Sequence, residues 1–529
     1  MSALARVREL LGPGDWSGLH EVRERELALA VPLQSLPVLA DRLGNQATLA
    51  SLFATDERGW NGAFCVHHVW SLPQCAAFLR LHARVDPAQP AFPSIAARHP
   101  AANWFEREIL DYFGLVPQGH PNPQRVALHD DWPADSWPLR KDFAGDAAIA
   151  RVEGGHPHPF RPVTGEGVFQ IPVGPVHAGI IEPGHFRFGV AGEPVLYLQL
   201  RLFYTHKGTE KRFERLPWRH GLFLAESISG DSAVAHSLAY AHALERLAGT
   251  QVPPRACYLR VILLELERIY NHIADVGAIA TDVAFAAPAA HAQVLRERLV
   301  SLHERLFGSR LLRGTVALGG AKRDLDASQR AELKAHLGQL KPAFEGLVTL
   351  LIDSGSFTDR IDGTGVLTPQ AARDLGVAGL AARASGVDQD LRRDHPTDVY
   401  GVLRFEVPVE QGGDVRARLM VRAREVGQSV LLVEQALEAL ETLSDPALSA
   451  ALPDSLPPIS HALGWAEGWR GGCLHWIQTD AAGQLSRVRI DDPSFKNWPA
   501  LALAVPGNIV PDFPVINKSF NLSYSGNDR

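Results

Sequence analysis

Cysteine is scarce in this chain of 529 residues. There are four, Cys65, Cys75, Cys257 and Cys473, each standing alone, with no C-x-x-C pair and none beside a histidine at metal-ligand spacing. Iron–sulfur clusters need grouped thiolates and structural zinc sites need paired ones. The chain alone is therefore expected to bind no cluster, and its cysteines to be reduced and mostly buried. An excess of positive charge is missing too. With 52 Lys and Arg against 59 Asp and Glu, the formal charge is −7. That leaves no basic footprint of the kind phosphate contacts require, so nucleic acid is not an expected partner. No apolar run reaches the roughly 18 to 20 residues that span a bilayer. The best candidate, residues 273–292, carries Asp275, Asp282 and Pro288. The N-terminus lacks the apolar stretch and cleavage site of a signal peptide, and no G-x-G-x-x-G follows a strand pattern. These absences predict a cytoplasmic chain, soluble in itself, that reaches a membrane only through a partner.

What is present suits a globular protein of two or three domains: 46% of residues are hydrophobic and 21% charged, enough apolar surface for a substantial core. Residues 1–145 mix helical patterns (36–43) with strand-like runs (63–69). Residues 146–167 are rich in Gly, Pro and His without periodicity, and read as a linker or extended arm. From 168 to about 203, alternation with β-branched and aromatic residues predicts a small antiparallel sheet. Helical patterning then takes over. After Val252-Pro253-Pro254, the residues Leu259, Leu263, Leu266, Ile269, Ile273 and Val276 recur at three- and four-residue steps, the mark of a long, largely buried helix. Further helices are predicted at 292–312, 327–351 and 414–443. The predicted class is α+β, a small α/β-sandwich domain followed by a mainly helical bundle with a small antiparallel β cap.

Two stretches stand out. SISGDSAVAHS, from Ser227 to Ser237, has the cadence of a C-x-x-C element opening a helix, but with serine in place of sulfur. Asp231 or Ser232 is the predicted N-cap of the helix that follows. RASGVDQDLRRDHP holds Arg383, Asp390, Arg392, Arg393 and Asp394 in one loop, suited to gripping a partner through bidentate Arg–carboxylate bonds.

Longer motifs carry a resemblance. WFEREILDYFGLVPQGHPNPQRVALHDDWPADSWPLRKDF (104–143) resembles the smaller of two adjoining hydrophilic subunits of respiratory complex I, the NADH-quinone oxidoreductase C type. GPVHAGIIEPGHFRF (174–188), RLFYTHKGTEK (201–211), RASGVDQDLRRDHPTDVYG (383–401) and EGWRG (467–471) resemble the larger, D-type subunit and the homologous large subunit of nickel–iron hydrogenases. EPGHFRF and the single-chain fusion are most similar to the formate hydrogenlyase type of energy-converting hydrogenase. The resemblance implies a C-subunit-like domain over 1–145, the linker 146–167, and a hydrogenase- and D-subunit-like domain over 168–529.

Such hydrogenases hold nickel and iron with four cysteines. The matching positions here are Ser229, Ser232, Ser523 and Gly526. Nickel bound that way needs soft anionic sulfur, whereas a serine hydroxyl is hard and neutral near pH 7 and glycine offers nothing. No nickel–iron centre is expected, and with none to insert the chain is expected to need no counterpart of the family's clipped C-terminal tail. The quinone contacts of complex I do not carry over either: its tyrosine falls at Gly230 and its second loop histidine at Ile181, with only His177 matching. The resemblance still implies a cavity where Glu182, His177, His236 and Arg470 carry catalysis, Glu182 and His177 as proton carriers, with Asp231 and Ser232 lining it. Trp469 is expected to fill space that a metal would take.

The implied function is a subunit of a membrane-associated, complex I-like or hydrogenase-related oxidoreductase complex, peripheral on the cytoplasmic face of the inner membrane. Its implied partners are an iron–sulfur small subunit bearing a 4Fe-4S cluster and membrane-embedded ion-translocating subunits. Electrons would pass from that cluster to an acceptor, quinone being one candidate. The alternatives are a redox-inert scaffold coupling ion transport to a partner and, third, an active hydrogenase.

Overall fold

The computed structural model describes residues 2–44, 46–146, 148–155, 157–177 and 181–529. The N-terminal region is built on a five-stranded mixed sheet in the order β1–β2–β5–β4–β3. Its strands are β1 (His20–Arg23), β2 (Glu26–Ala30), β3 (Thr48–Asp56), β4 (Phe64–Leu72) and β5 (Ala77–Val85). β2 and β5 run parallel and the other pairs antiparallel. Helices α1 (Ala3–Leu11), α2 (Leu36–Leu43) and α3 (Asn103–Phe113) accompany it.

Among the described residues, 119–167 contain no helix or strand, because proline, glycine and histidine break every period there. This arm lies against the next sheet. The Arg201 guanidinium donates to His158 Nδ1 at 2.6 Å and the Arg161 amide to Gln199 Oε1 at 2.6 Å. That sheet is antiparallel, as alternation predicts: β6 (Val168–Val173), β7 (His185–Ala191) and β8 (Val195–Arg201), with β7 in the middle.

The helical part comprises α4 (Ala233–Ala248), α5 (Pro254–Asp282), α6 (Ala286–Phe307), α7 (Ala327–Ile352) and α8 (Val415–Thr442). α5 starts with proline in its first turn, where the missing N–H costs nothing. The six apolar residues that predicted it are all buried, but so are Arg260, Glu265, Glu267, Arg268, His272 and Asp275. The helix is covered all round, and these polar groups find partners inside the protein.

A second antiparallel sheet was not foreseen: β9 (His461–Gly468), β10 (Gly471–Thr479) and β11 (Leu485–Asp491). Nearly every residue on it is buried, so no period-2 alternation exists to be read. One face packs on the N-terminal sheet, where Phe53 meets Trp476 and Phe78 meets Trp465, each at 4.9 Å between ring centroids. The other face takes α4. A side chain at Gly464 would sit 2.2 Å from the Ala239 carbonyl, so only glycine permits that approach. The chain then passes through α9 (Pro493–Ala504) to the short α10 (Tyr524–Asp528).

Candidate functional site

Three segments meet at the candidate site: the turn before α4, the Trp469–Arg470 turn between β9 and β10, and residues 521–526 leading into α10. Ser523 caps α10, its Oγ accepting from the Gly526 amide at 2.8 Å. The Ser229 and Ser523 hydroxyls lie 2.8 Å apart. Because Ser229 Oγ donates to Asp231 Oδ1 at 2.8 Å, Ser523 must donate to Ser229.

Asp231 receives a bidentate clamp from Arg470, at 2.7 and 2.6 Å. Its backbone carbonyl accepts from the Trp469 indole and from Asn271, both at 2.8 Å. The Arg470 guanidinium stacks 3.9 Å over the Trp469 ring and donates through Nε to the Asn521 carbonyl at 2.5 Å. Asn521 is left-handed, with φ 45°, a conformation asparagine tolerates. Burial alone would raise the Asp231 carboxyl, but Arg470 and the Ser229 hydroxyl outweigh it and hold the group below its usual range. The Asp231 side chain is 39% exposed, whereas Ser229, Arg470 and Ser523 beside it are buried.

Behind the pair lies Asp492. Its Oδ2 accepts from His236 Nε2 at 2.9 Å and its Oδ1 from the Ser494 amide at 2.7 Å. Burial opposes ionisation, yet these bonds and Arg470 bring the carboxyl down to about 2. A Cβ at Gly526 would stand 2.4 Å from Asp492 Oδ2, so that carboxylate occupies the space a side chain at 526 would need.

The structure gathers Ser229, Asp231, Ser232, Arg470 and Ser523 and sets His236 just behind them. Glu182 and His177 take no part in that cluster. Glu182 is exposed and accepts from the Ser525 amide at 3.0 Å, at the start of α10. His177 Nε2 is engaged with the Gly184 carbonyl at 2.8 Å, which staples its own loop. Gly230 faces open space and Ile181 is 51% exposed. Lys207 was missed: its Nζ joins Ser525 Oγ (2.5 Å) to the Ser227 and Ile228 carbonyls, tying α10 to the serine turn.

Two expectations are corrected. Ser232 stands at the N-cap of α4 without a side-chain capping bond; the orphan amides of Val234 and Ala235 donate instead to Glu267 of α5, at 2.7 and 3.1 Å. Asp231 is unavailable for capping because Arg470 holds both its oxygens. Burial raises the Glu267 carboxyl to about 8 despite these bonds. The charged loop at 383–394 turns inward rather than toward a partner. Arg383 pairs with Glu425 (2.6 Å) and Glu467 (3.1 Å), and Arg392 with Asp390 (2.7 Å) and Glu265 (3.1 Å). These six residues are buried; Arg393, at 41% side-chain exposure, reaches solvent beside Asp388 and Asp394. Burial and the nearby Asp390 push Glu467 up to about 7.

Two family models match parts of the chain on either side of the serine turn. Residues 30–148 match the family described as respiratory-chain NADH dehydrogenase, 30 kDa subunit, and residues 282–458 the 49 kDa subunit. Formate hydrogenlyase subunit 5 of Escherichia coli is 35% identical over 510 residues, covering 95% of this chain and 89% of that one. The chain belongs to this fused hydrogenase and complex I subunit family. Another relative, hydrogenase-4 component G of Escherichia coli, is 35% identical, covering 97% of this chain and 90% of the relative. In the solved structure of the membrane-bound sulfane sulfur reductase, an archaeal respiratory membrane complex, one chain superposes with a TM-score of 0.65 at 25% identity. It covers 70% of this chain and 100% of that one. The fused-family fold is thus present from the N-terminal sheet to the bundle, and no helix among the described residues is long and apolar enough to cross a membrane.

The donors at the site do not fit a nickel–iron centre. Ser229, Ser232 and Ser523 offer neutral hydroxyls and Gly526 nothing. Arg470, already paired with Asp231, comes within 3.5 Å of Ser232 Oγ, so the Ser232 hydroxyl faces a guanidinium.

Proposed function

We propose that this chain is a nickel-free subunit of a membrane-associated, complex I-like or hydrogenase-related oxidoreductase complex. It would be peripheral on the cytoplasmic face of the inner membrane, between an iron–sulfur small subunit and membrane-embedded ion-translocating subunits. The observation that carries this reading is the Arg470–Asp231 ion pair, joined to the Ser229–Ser523 hydroxyl pair. Together they fill the place where a hydrogenase would hold its metal. Absence of the nickel ligands would leave room for the Trp469 indole to pack there.

Of the ways such a subunit can work, the packing favours a scaffold that couples its neighbours without reacting itself. Ser229 and Ser523 are buried and bonded to each other, Trp469 is buried with its indole on the Asp231 carbonyl, and the two expected proton carriers lie outside this knot. A second reading has one observation in its favour. Asp231 is 39% exposed beside Arg470, so an acceptor such as quinone could take electrons from the partner's 4Fe-4S cluster at the pocket mouth.

The test is to isolate the intact complex, identify its subunits and record cluster and metal content by EPR and elemental analysis. A reducible cluster in a small subunit with no nickel is the expected result. If the reduced cluster is then reoxidised by added quinone, and Asp231→Asn slows that step, the mouth is an acceptor site and the scaffold reading fails.

A further inference from the structure

Directly behind the Arg470–Asp231 pair, three side chains that the proposed function leaves unused face one another: His236 on α4, Cys473 on β10 and Asp492 ahead of α9. All are buried, and one donor atom from each lies within 4.8 Å of the other two. We propose that His236, Cys473 and Asp492 form a binding site for a borderline divalent cation, zinc being the best match, adjoining the serine cluster but using none of its hydroxyls.

The geometry is close to what zinc requires. Tetrahedral zinc with bonds of about 2.0 Å to nitrogen and oxygen and about 2.3 Å to sulfur separates N from O by roughly 3.3 Å and S from N by roughly 3.5 Å. Here Nε2 of His236 lies 2.9 Å from Asp492 Oδ2 and 3.9 Å from Cys473 Sγ. Each spacing therefore needs to change by about 0.4 Å, one opening and one closing. Three protein ligands would leave a fourth tetrahedral position for a water or another small ligand.

The surroundings fit a ligand role. Metal-bound imidazoles usually set their tautomer by a bond from the other ring nitrogen, and His236 Nδ1 lies 3.1 Å from His475 Nε2. His475 Nδ1 has no hydrogen-bond partner among the described residues, so His475 is free to serve His236 in either tautomer. A divalent ion with one thiolate and one carboxylate forms a neutral set, which eases its burial. Glycine at 526 leaves the Asp492 carboxylate its space. A second triad, Glu57, Cys65 and His67, meets the same distance test but fails this one. Arg80 Nη1 stands 3.2 Å from His67 Nδ1, placing a guanidinium against the prospective ligand.

Without the ion, Cys473 is a thiol, since burial pushes its ionisation well above the usual range. Binding forms the Sγ, Nε2 and Oδ2 bonds to the ion and breaks the S–H bond, releasing that proton to solvent. The His236 ring proton moves to Nδ1, facing His475.

Cobalt(II) titration of the chelator-stripped full-length chain tests the site. The expected result is one equivalent bound, with tetrahedral d–d bands and a near-ultraviolet thiolate-to-cobalt charge-transfer band. Cys473→Ser should abolish that band, whereas Cys65→Ser and Cys257→Ser should keep it. His475→Gln should weaken binding by about 10- to 100-fold while keeping the spectrum. If Cys473→Ser does not fold, the isosteric Asp492→Asn takes its place and should lower cobalt affinity at least about tenfold. No uptake by the folded wild-type chain, or a charge-transfer band that survives Cys473→Ser, overturns the proposal. The nickel-free reading fails separately, on nickel that is retained in Cys473→Ser.

Discussion

Asp231 uses every polar atom of its side chain and its carbonyl to join three segments, so its partners are the residues to perturb. Arg470→Met removes the clamp and leaves the carboxylate with two serine hydroxyls. The expected cost is about 2 kcal/mol in urea unfolding, below the roughly 3–5 kcal/mol for breaking a fully buried pair, because Asp231 keeps partial contact with water. Asp231→Asn combined with Arg470→Met should cost less than the sum of the single changes. The serine pair makes a second prediction. Ser229→Cys with Ser523→Cys places two sulfurs where oxygens sit 2.8 Å apart, so the double variant should form a disulfide on mild oxidation, read as a mobility shift in a non-reducing gel. At this scale the sequence was informative through motif alignment alone. The likeness to hydrogenases paired Ser229 with Ser523 across 294 residues. Nothing marked Asp492 or Glu267, and Lys207 stood only inside the RLFYTHKGTEK motif without a role, because their roles arise from elements that pack together from distant parts of the chain.

Helices were readable and one sheet was not, for a single physical reason. α5, α7 and α8 each keep an apolar stripe at three- and four-residue steps, and the structure places them within a few residues of expectation. β9, β10 and β11 are covered on both faces, which erases the alternation that reveals a strand. Capping was misjudged because Asp231 and Ser232 look like caps locally, while the actual acceptor, Glu267, comes from a neighbouring helix. That substitution gives a pH prediction. Burial raises Glu267 from its ordinary 4.5 to about 8, so between these values the folded chain holds a proton that the unfolded chain has released. Stability should fall as pH rises through that window and level off above it. Glu267→Gln should flatten this decline, measured by urea unfolding at pH 5 and pH 8.

Across the whole molecule, the N-terminal sheet and the helical bundle are joined through the sheet of β9, β10 and β11. Phe53, Phe78, Trp465 and Trp476 form the apolar seam. Buried ion pairs flank it: Arg489 bonds Glu108 of α3, and Arg529 bonds the same carboxylate. Trp476→Ala should cost about 3–5 kcal/mol and speed amide exchange in the strands of the N-terminal sheet more than in α5, read by hydrogen–deuterium exchange. The two-part architecture was readable from the resemblance, but this junction was not, since it depends on the unforeseen sheet.

The central claim is that ion-paired side chains and hydroxyls stand where a hydrogenase of this family would hold nickel. Elemental analysis of the intact complex, purified from cells grown with added nickel, tests it most directly. The account predicts nickel far below one atom per chain. One nickel per chain, still present in Cys473→Ser and lost in Ser229→Ala with Ser523→Ala, would contradict it.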